Sequence, residues 1–282
     1  MALKQRTIAF IGGGHITRII VENLTRSGKT AGSQLVVSDP DLQKLESLQK
    51  KFSVQTTESN QQALGAADLI FFNVLPQVVS PVLNELREQK FPKDKTIISL
   101  AAGIPMRTYT VLGDHIPVVR ALPNPPSLIG KGIAALAFNP YVSETQKNDI
   151  IELFSCLGEY VILQEDKINA VTALSSPVTT HLFFQAIIDT AVRLGIDRET
   201  STKIAYHTIN GSMELWNTRQ VSPYDLIGQA STPGGISTEI TFTLEKKAFK
   251  AIIAEALEAG YKKAAEFATS KYCTEIERSV PG

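Results

Sequence analysis

The chain has 282 residues with 28 basic and 28 acidic side chains, so its formal charge is zero, and 43% of it is apolar. It is long enough for a sizeable core and two domains, and it carries neither a basic stripe suited to nucleic acid nor an acidic solvating tail. Its two cysteines, Cys156 and Cys273, stand far apart in no metal spacing, and no leader or membrane-length apolar run is read. The expectation is therefore a cytoplasmic protein in a reducing compartment, with no metal, nucleic-acid or membrane partner.

In chain order, Thr7 to Ile11 is an apolar run that ends in Gly12-Gly13-Gly14, and Ile19, Ile20, Val21 and Leu24 follow at helical spacing. This pattern predicts strand, tight turn and helix. In a dinucleotide fold Gly12 makes the turn, and Gly14 lets a pyrophosphate approach the backbone. The helix start supplies N–H donors and a positive dipole end. Thr17 stands where a third Gly or Ala is usual, so the helix is expected to pack slightly less closely on the strand.

Gln34 to Ser38 reads as strand two, Leu42 to Lys51 as a polar helix, and Val54 to Thr56 as a short edge. Asp68 to Val74 and Thr96 to Leu100 are buried runs bounded by Gly, Pro or Asp. Val118 to Leu122, Ile133 to Phe138 and Tyr160 to Leu163 continue the sheet, with a helix from Glu144 to Leu157. Parallel strands with right-handed crossovers give a doubly wound sheet whose ligand crevice lies at the strands' carboxyl ends.

Near Glu165 the strand signal stops. Leu182, Phe183, Ala186, Ile187, Thr190 and Ala191 recur at three and four, as do Leu244, Ala248, Ile252, Ala256 and Ala259. The fold class is α/β: a Rossmann-type domain over residues 1–164, then an all-helical domain over 165–282. The helices are apolar on more than one face, which favours sharing them with a second subunit over a self-contained bundle. Glu275 to Gly282 reads as a frayed tail. Between two helical patterns lies Thr232-Pro233-Gly234-Gly235-Ile236-Ser237, where proline fixes the entry, glycines admit close approach, and the next helix offers free N–H groups. It reads as a carboxylate-binding turn or as a plain helix connection.

Over nearly its whole length, in order, the chain resembles the pyrroline-5-carboxylate reductase family. The resemblance rests on Ile11-Gly12-Gly13-Gly14-His15-Ile16, Asn73-Val74-Leu75-Pro76-Gln77 and Ser99-Leu100-Ala101-Ala102-Gly103-Ile104. It continues in Val119-Arg120-Ala121-Leu122-Pro123-Asn124, Asn169 to Ser175, and Thr232-Pro233-Gly234-Gly235. It implies an enzyme that reduces a five-membered cyclic imine carboxylate to proline with NADH or NADPH, and a helical domain that interlocks into a homodimer or higher oligomer. Cofactor contacts are implied at Gly12, Gly14, His15, Ile16, Ser38, Asp39, Asn60, Asn73, Val74, Leu75, Ala101 and Asn124. Substrate contacts are implied at Gly234, Gly235, Ile236, Ser237, Ser175 and Pro177, with the Ser237 hydroxyl hydrogen-bonding the ring nitrogen as the catalytic group. For Ser237 alone, a helix N-cap is the alternative.

The chain departs from the family pattern in several places. Leu75 replaces the lysine of the Val-Lys-Pro motif, Gln185 a glutamate, and Ser175 to Thr179 a longer glycine-rich segment with an aromatic ring. These changes open two further readings: a related oxidoreductase acting on another imine or a carbonyl, and an inactive nucleotide-binding homologue. Asp39 ends strand two where a carboxylate accepts from a ribose 2′-hydroxyl and repels a 2′-phosphate, which favours NADH. Against this, Ser38 matches the family's phosphate-contacting serine, and Asp39 is also placed to cap the next helix. Arg120 is read as a structural brace, Asn124 as orienting the nicotinamide end, and His15 as either a cofactor contact or a surface residue. His181 is read as packed near the shortened loop, and His207 and Trp216 as helix packing.

Overall fold

The computed structural model describes residues 3–88, 91–92 and 94–268. Cys273 and the expected frayed tail lie outside them. The described residues up to Ser175, together with those from Ala259 onward, form one compact unit, and Ser176–Glu258 forms another.

The first unit is built on eight strands in the order β3-β2-β1-β4-β5-β6-β7-β8. They are β1 (Ile8–Ile11), β2 (Leu35–Ser38), β3 (Gln55–Thr57), β4 (Leu69–Phe72), β5 (Thr96–Ser99), β6 (Val118–Pro123), β7 (Gly132–Phe138) and β8 (Gly158–Ile162). Every residue of β1, β2, β4 and β5 is buried, as a parallel sheet covered on both faces requires. The period of two divides them between two cores. Ile8, Phe10, Leu69 and Phe71 face α1 (His15–Arg26), α2 (Leu42–Phe52) and α5 (Glu144–Phe154). Ala9, Ile11, Ile70 and Phe72 face α3 (Asn60–Ala66) and α4 (Pro76–Leu86). Phe10 and Phe71 stack at 4.9 Å, fixing the β1–β4 register on one face.

Contrary to the expectation from the sequence pattern, the sheet is not parallel throughout. β7 runs antiparallel to β6, pairing Val119 with Phe138 and Pro123 with Ala134, and the parallel direction resumes between β7 and β8. The physical reason is the connection: residues 124–131 hold a single 3-10 turn, Pro125–Ile129. A parallel crossover needs about a dozen residues or more, so a segment this short returns the chain antiparallel.

The second unit holds α7 (Val178–Arg193), α8 (Arg198–Arg219), α9 (Pro223–Ala230), α10 (Ile236–Lys246) and the start of α11 (Phe249–Ala268). Few of its side chains are buried, while Leu182, Phe183, Leu194, Met213, Ile240 and Phe242 are exposed. The stretch Glu165–Arg193 is long and apolar enough, by length and composition, to cross a membrane, where the sequence reading expected no such run. Its backbone is not one regular helix. α6 (Ile168–Leu174) ends at Ser175, and α7 starts after Pro177.

Candidate active site

β1 delivers the chain into Gly12 with φ +101°, and a Cβ there would stand 2.9 Å from the Asn73 carbonyl oxygen, so only glycine fits. The Gly12 N–H donates to the Ser38 carbonyl at 2.8 Å, which ties the turn to the end of β2. Gly14 is the N-cap of α1 in extended conformation, with no side-chain cap and nothing within 4 Å of a Cβ placed on it. The first N–H groups of α1 are therefore left for an anion, and the dipole end adds to the attraction.

A cleft of about 710 Å³ opens over this loop and gathers Gly12, Gly14, His15, Ile16, Ser38, Asp39, Asn60, Asn73, Val74 and Leu75. Ala101 and Asn124 are not on its lining. Ala101 is buried in the core. The Asn124 amide donates to the Ser175 carbonyl at 3.0 Å and accepts from the Ile133 N–H at 2.9 Å, so both of its ends brace the chain.

At the β2 end of the cleft, the Asp39 carboxylate accepts from the Gly13 N–H at 2.7 Å and the Asp41 N–H at 2.9 Å, with the Lys44 ammonium at 3.4 Å. The helix-capping alternative for Asp39 is corrected. α2 begins two residues later, at Leu42, and Asp41 caps it by accepting from the N–H groups of Gln43 and Lys44. Ser38 is fully buried, and its hydroxyl donates to Asn60 Oδ1 at 2.8 Å, while Asn60 Nδ2 donates to Glu85 Oε2 at 2.8 Å. Glu58 and Glu85 complete this wall. No local motif marks them, because Glu85 reaches the cleft only through the pairing of α4 with the start of α3.

Thr17 is accommodated by hydrogen bonds. It is fully buried, its hydroxyl donates to the Gly12 carbonyl, and it accepts from Asn73 Nδ2 at 3.0 Å. Arg120 is buried and braces loops as read from the sequence, donating to Asn169 Oδ1 at 2.7 Å with Glu165 at 3.9 Å. Glu165 also accepts from the Met106 N–H at 2.6 Å. Burial pushes the Cys156 thiol up to about 11, so it is protonated at neutral pH.

In the helical unit, Gly235 N–H donates to the Thr232 carbonyl at 2.9 Å across Pro233 and Gly234, and Gly234 has φ +69°. This is a type II turn, with proline and glycine at the positions that such a turn demands. Gly235 is the N-cap of α10 and has no side-chain cap. Ser237 is the second residue of α10, which removes its N-cap alternative. Among the described residues no partner is seen for its hydroxyl or for the N–H groups of Ile236 and Ser237. Pro177 opens α7 and accepts from the His181 N–H, and Ser175 closes α6 with its hydroxyl on the Val171 carbonyl.

A family model described as pyrroline-5-carboxylate reductase dimerisation matches residues 165–267, and one described as NADP oxidoreductase, coenzyme F420-dependent, matches residues 7–103. The pyrroline-5-carboxylate reductase of Escherichia coli (strain K12) is 31% identical over 256 residues, which span 90% of this chain and 95% of that protein. The chain belongs to the pyrroline-5-carboxylate reductase family. The Pseudomonas aeruginosa reductase is 32% identical over 93% of this chain and 96% of its own length. The solved Coxiella burnetii reductase superposes with a TM-score of 0.86 at 29% identity, covering 94% of this chain and 99% of that one.

As a member of the reductase family the protein is an oxidoreductase with a nicotinamide cofactor, and its dimerisation domain makes it a homo-oligomer. The cradle fits a dinucleotide: a glycine turn that admits no Cβ, an uncapped helix start, and acceptors at the end of β2. Of the departures from the family pattern, Leu75 is 64% exposed at the cleft, and Gln185 donates along its own helix to Asp189 at 2.8 Å. His181 is exposed and lines a hollow between α7 and α8. Trp216 donates to the Val221 carbonyl at 2.9 Å, and His207 meets the Tyr206 ring edge-on. Among the described residues no three His, Cys, Asp or Glu side chains are grouped as metal ligands.

Proposed function

We propose that this protein reduces 1-pyrroline-5-carboxylate to proline with a reduced nicotinamide cofactor. The observation that carries the reading is the uncapped start of α10, where among the described residues the Ile236 and Ser237 N–H groups and the Ser237 hydroxyl have no partner. Its N–H groups suit the substrate carboxylate, with Gly234 and Gly235 allowing close approach, and Ser175 and Pro177 keep the substrate-binding assignment. The cofactor, when bound, supplies the hydride that adds to the carbon of the C=N bond. The Ser237 hydroxyl donates to the ring nitrogen, which gains a proton as the double bond is lost. The α1 start holds the pyrophosphate, and His15 and Ile16 contribute backbone N–H groups.

The cofactor assigned is NADH. Asp39, Glu58 and Glu85 line the cleft together with Lys44, and this excess of carboxylates repels a 2′-phosphate. NADPH is the second reading, favoured by Arg18 and Lys44 around a hollow of about 360 Å³ behind the glycine loop. Functionally the dinucleotide-binding part is assigned to residues 1–164 and the dimerisation and substrate part to 165–282. The protein is assigned to the cytoplasm as a dimer or larger assembly, without nucleic acid or membrane.

The test is a panel of five- and six-membered cyclic imine acids and carbonyl acids with NADH and NADPH, followed by loss of reduced-nicotinamide absorbance. The expected result is fastest turnover of 1-pyrroline-5-carboxylate with NADH. Turnover of another imine or carbonyl alone overturns the substrate, and tight cofactor binding without any turnover overturns the enzymatic reading.

A further inference from the structure

Three consecutive glycines form the most freely jointed tripeptide that a chain can build, yet a pyrophosphate site gains affinity from a loop already set before the ligand arrives. In this protein both polar atoms of the Gly12–Gly13 peptide are held. Its carbonyl accepts from the Thr17 hydroxyl, and its N–H donates to Asp39 Oδ2 at 2.7 Å. Thr17 and Asp39 act from opposite sides, one from α1 and one from the end of β2. The Thr17 hydroxyl is itself fixed, because its oxygen accepts from Asn73 Nδ2 at 3.0 Å. Asn73 is tied to β1 through its N–H on the Ile11 carbonyl at 2.9 Å. Thr17 is fully shielded from water, so this hydroxyl has no competing solvent partner.

We propose that Thr17, aligned by Asn73, is a positioning residue that locks the Gly12–Gly13 peptide for dinucleotide binding. It replaces by a buried hydrogen bond what a small residue at this place achieves by close packing. The inference rests on the dinucleotide reading of the cleft and adds to it a residue that touches no ligand. It also gives Asp39 a second role, because the carboxylate that faces the ribose end is at the same time the acceptor that fixes the loop.

The test is the NADH dissociation constant of the intact protein by fluorescence titration, with a thermal melt on the same samples. Thr17→Ala removes the hydroxyl without adding bulk, and affinity should fall on the order of tenfold, the scale of ordering one clamped segment. The KM for cofactor should rise in parallel, with a smaller change in kcat. Thr17→Ser keeps the hydroxyl and should restore affinity to within about twofold of wild type, even where its melt is lowered by the lost methyl group. If Thr17→Ala fails to fold, the near-isosteric Thr17→Val removes the hydroxyl while keeping the bulk, and the same loss on the order of tenfold is expected. Folded Thr17→Ala that binds NADH as wild type does overturns the proposal. So does Thr17→Ser that binds as poorly as Thr17→Ala. Wild-type protein that binds neither NADH nor NADPH instead overturns the reading of the cleft itself.

Discussion

Replacing Gly14 by aspartate should separate folding from cofactor binding. Gly14 has φ −72° and ψ −170°, an extended conformation open to any residue, and nothing lies within 4 Å of a Cβ there. It is the N-cap of α1 and offers the helix no side chain, whereas aspartate is among the best N-caps, worth a few tenths of a kcal/mol over glycine. The fold should therefore be unharmed or slightly firmer. The same carboxylate would occupy the N–H groups meant for the pyrophosphate and repel it. At about 4 Å and an effective dielectric near 20, one pair of unit charges repels by about 4 kcal/mol, or roughly a thousandfold in affinity. The assay is a thermal melt beside an NADH titration. Stability held or raised with binding lost is the expected pair of results, and wild-type affinity in the folded variant refutes the placement of the pyrophosphate. Gly12→Ala supplies the contrast: φ +101° and a Cβ 2.9 Å from the Asn73 carbonyl oxygen predict a loss of about 1–3 kcal/mol of stability.

Ser237→Ala should lower turnover by roughly ten- to a thousandfold with a smaller change in cofactor affinity, because the hydroxyl is not the N-cap of α10 and is proposed to act on the ring nitrogen; steady-state kinetics with near-normal rates would defeat the catalytic assignment. Asp39→Ser should shift the affinity ratio toward NADPH while weakening both cofactors, since the Gly13 N–H loses its acceptor; paired titrations that show an unchanged ratio would remove Asp39 from cofactor choice. The exposed Leu182, Phe183, Ile240 and Phe242 predict that dilution yields no stable folded monomer, and light scattering that finds a compact monomer at working concentration would contradict this.

The sequence alone determined the features that depend on local chemistry. An apolar run into glycines, with apolar residues at helical spacing after it, dictates strand, turn and helix, because a buried parallel strand and an amphipathic helix each write their period directly. Pro233 and Gly234 likewise wrote their own turn, since their positions match the φ values it requires. The tertiary structure alone decided what depends on partners distant in the chain. Thr17 reads as an ill-fitting residue until Asn73, on another strand's end, is brought to its hydroxyl. Asp39 reads as a ribose contact with helix capping as the alternative until the helix start is fixed at Leu42 and Asp41 takes the capping role. Glu85 carries no motif, and the fold brings it to the cleft beside Asn60. The direction of β7 follows from the length of a loop rather than from the strand's own pattern, since an apolar strand reads the same in either direction.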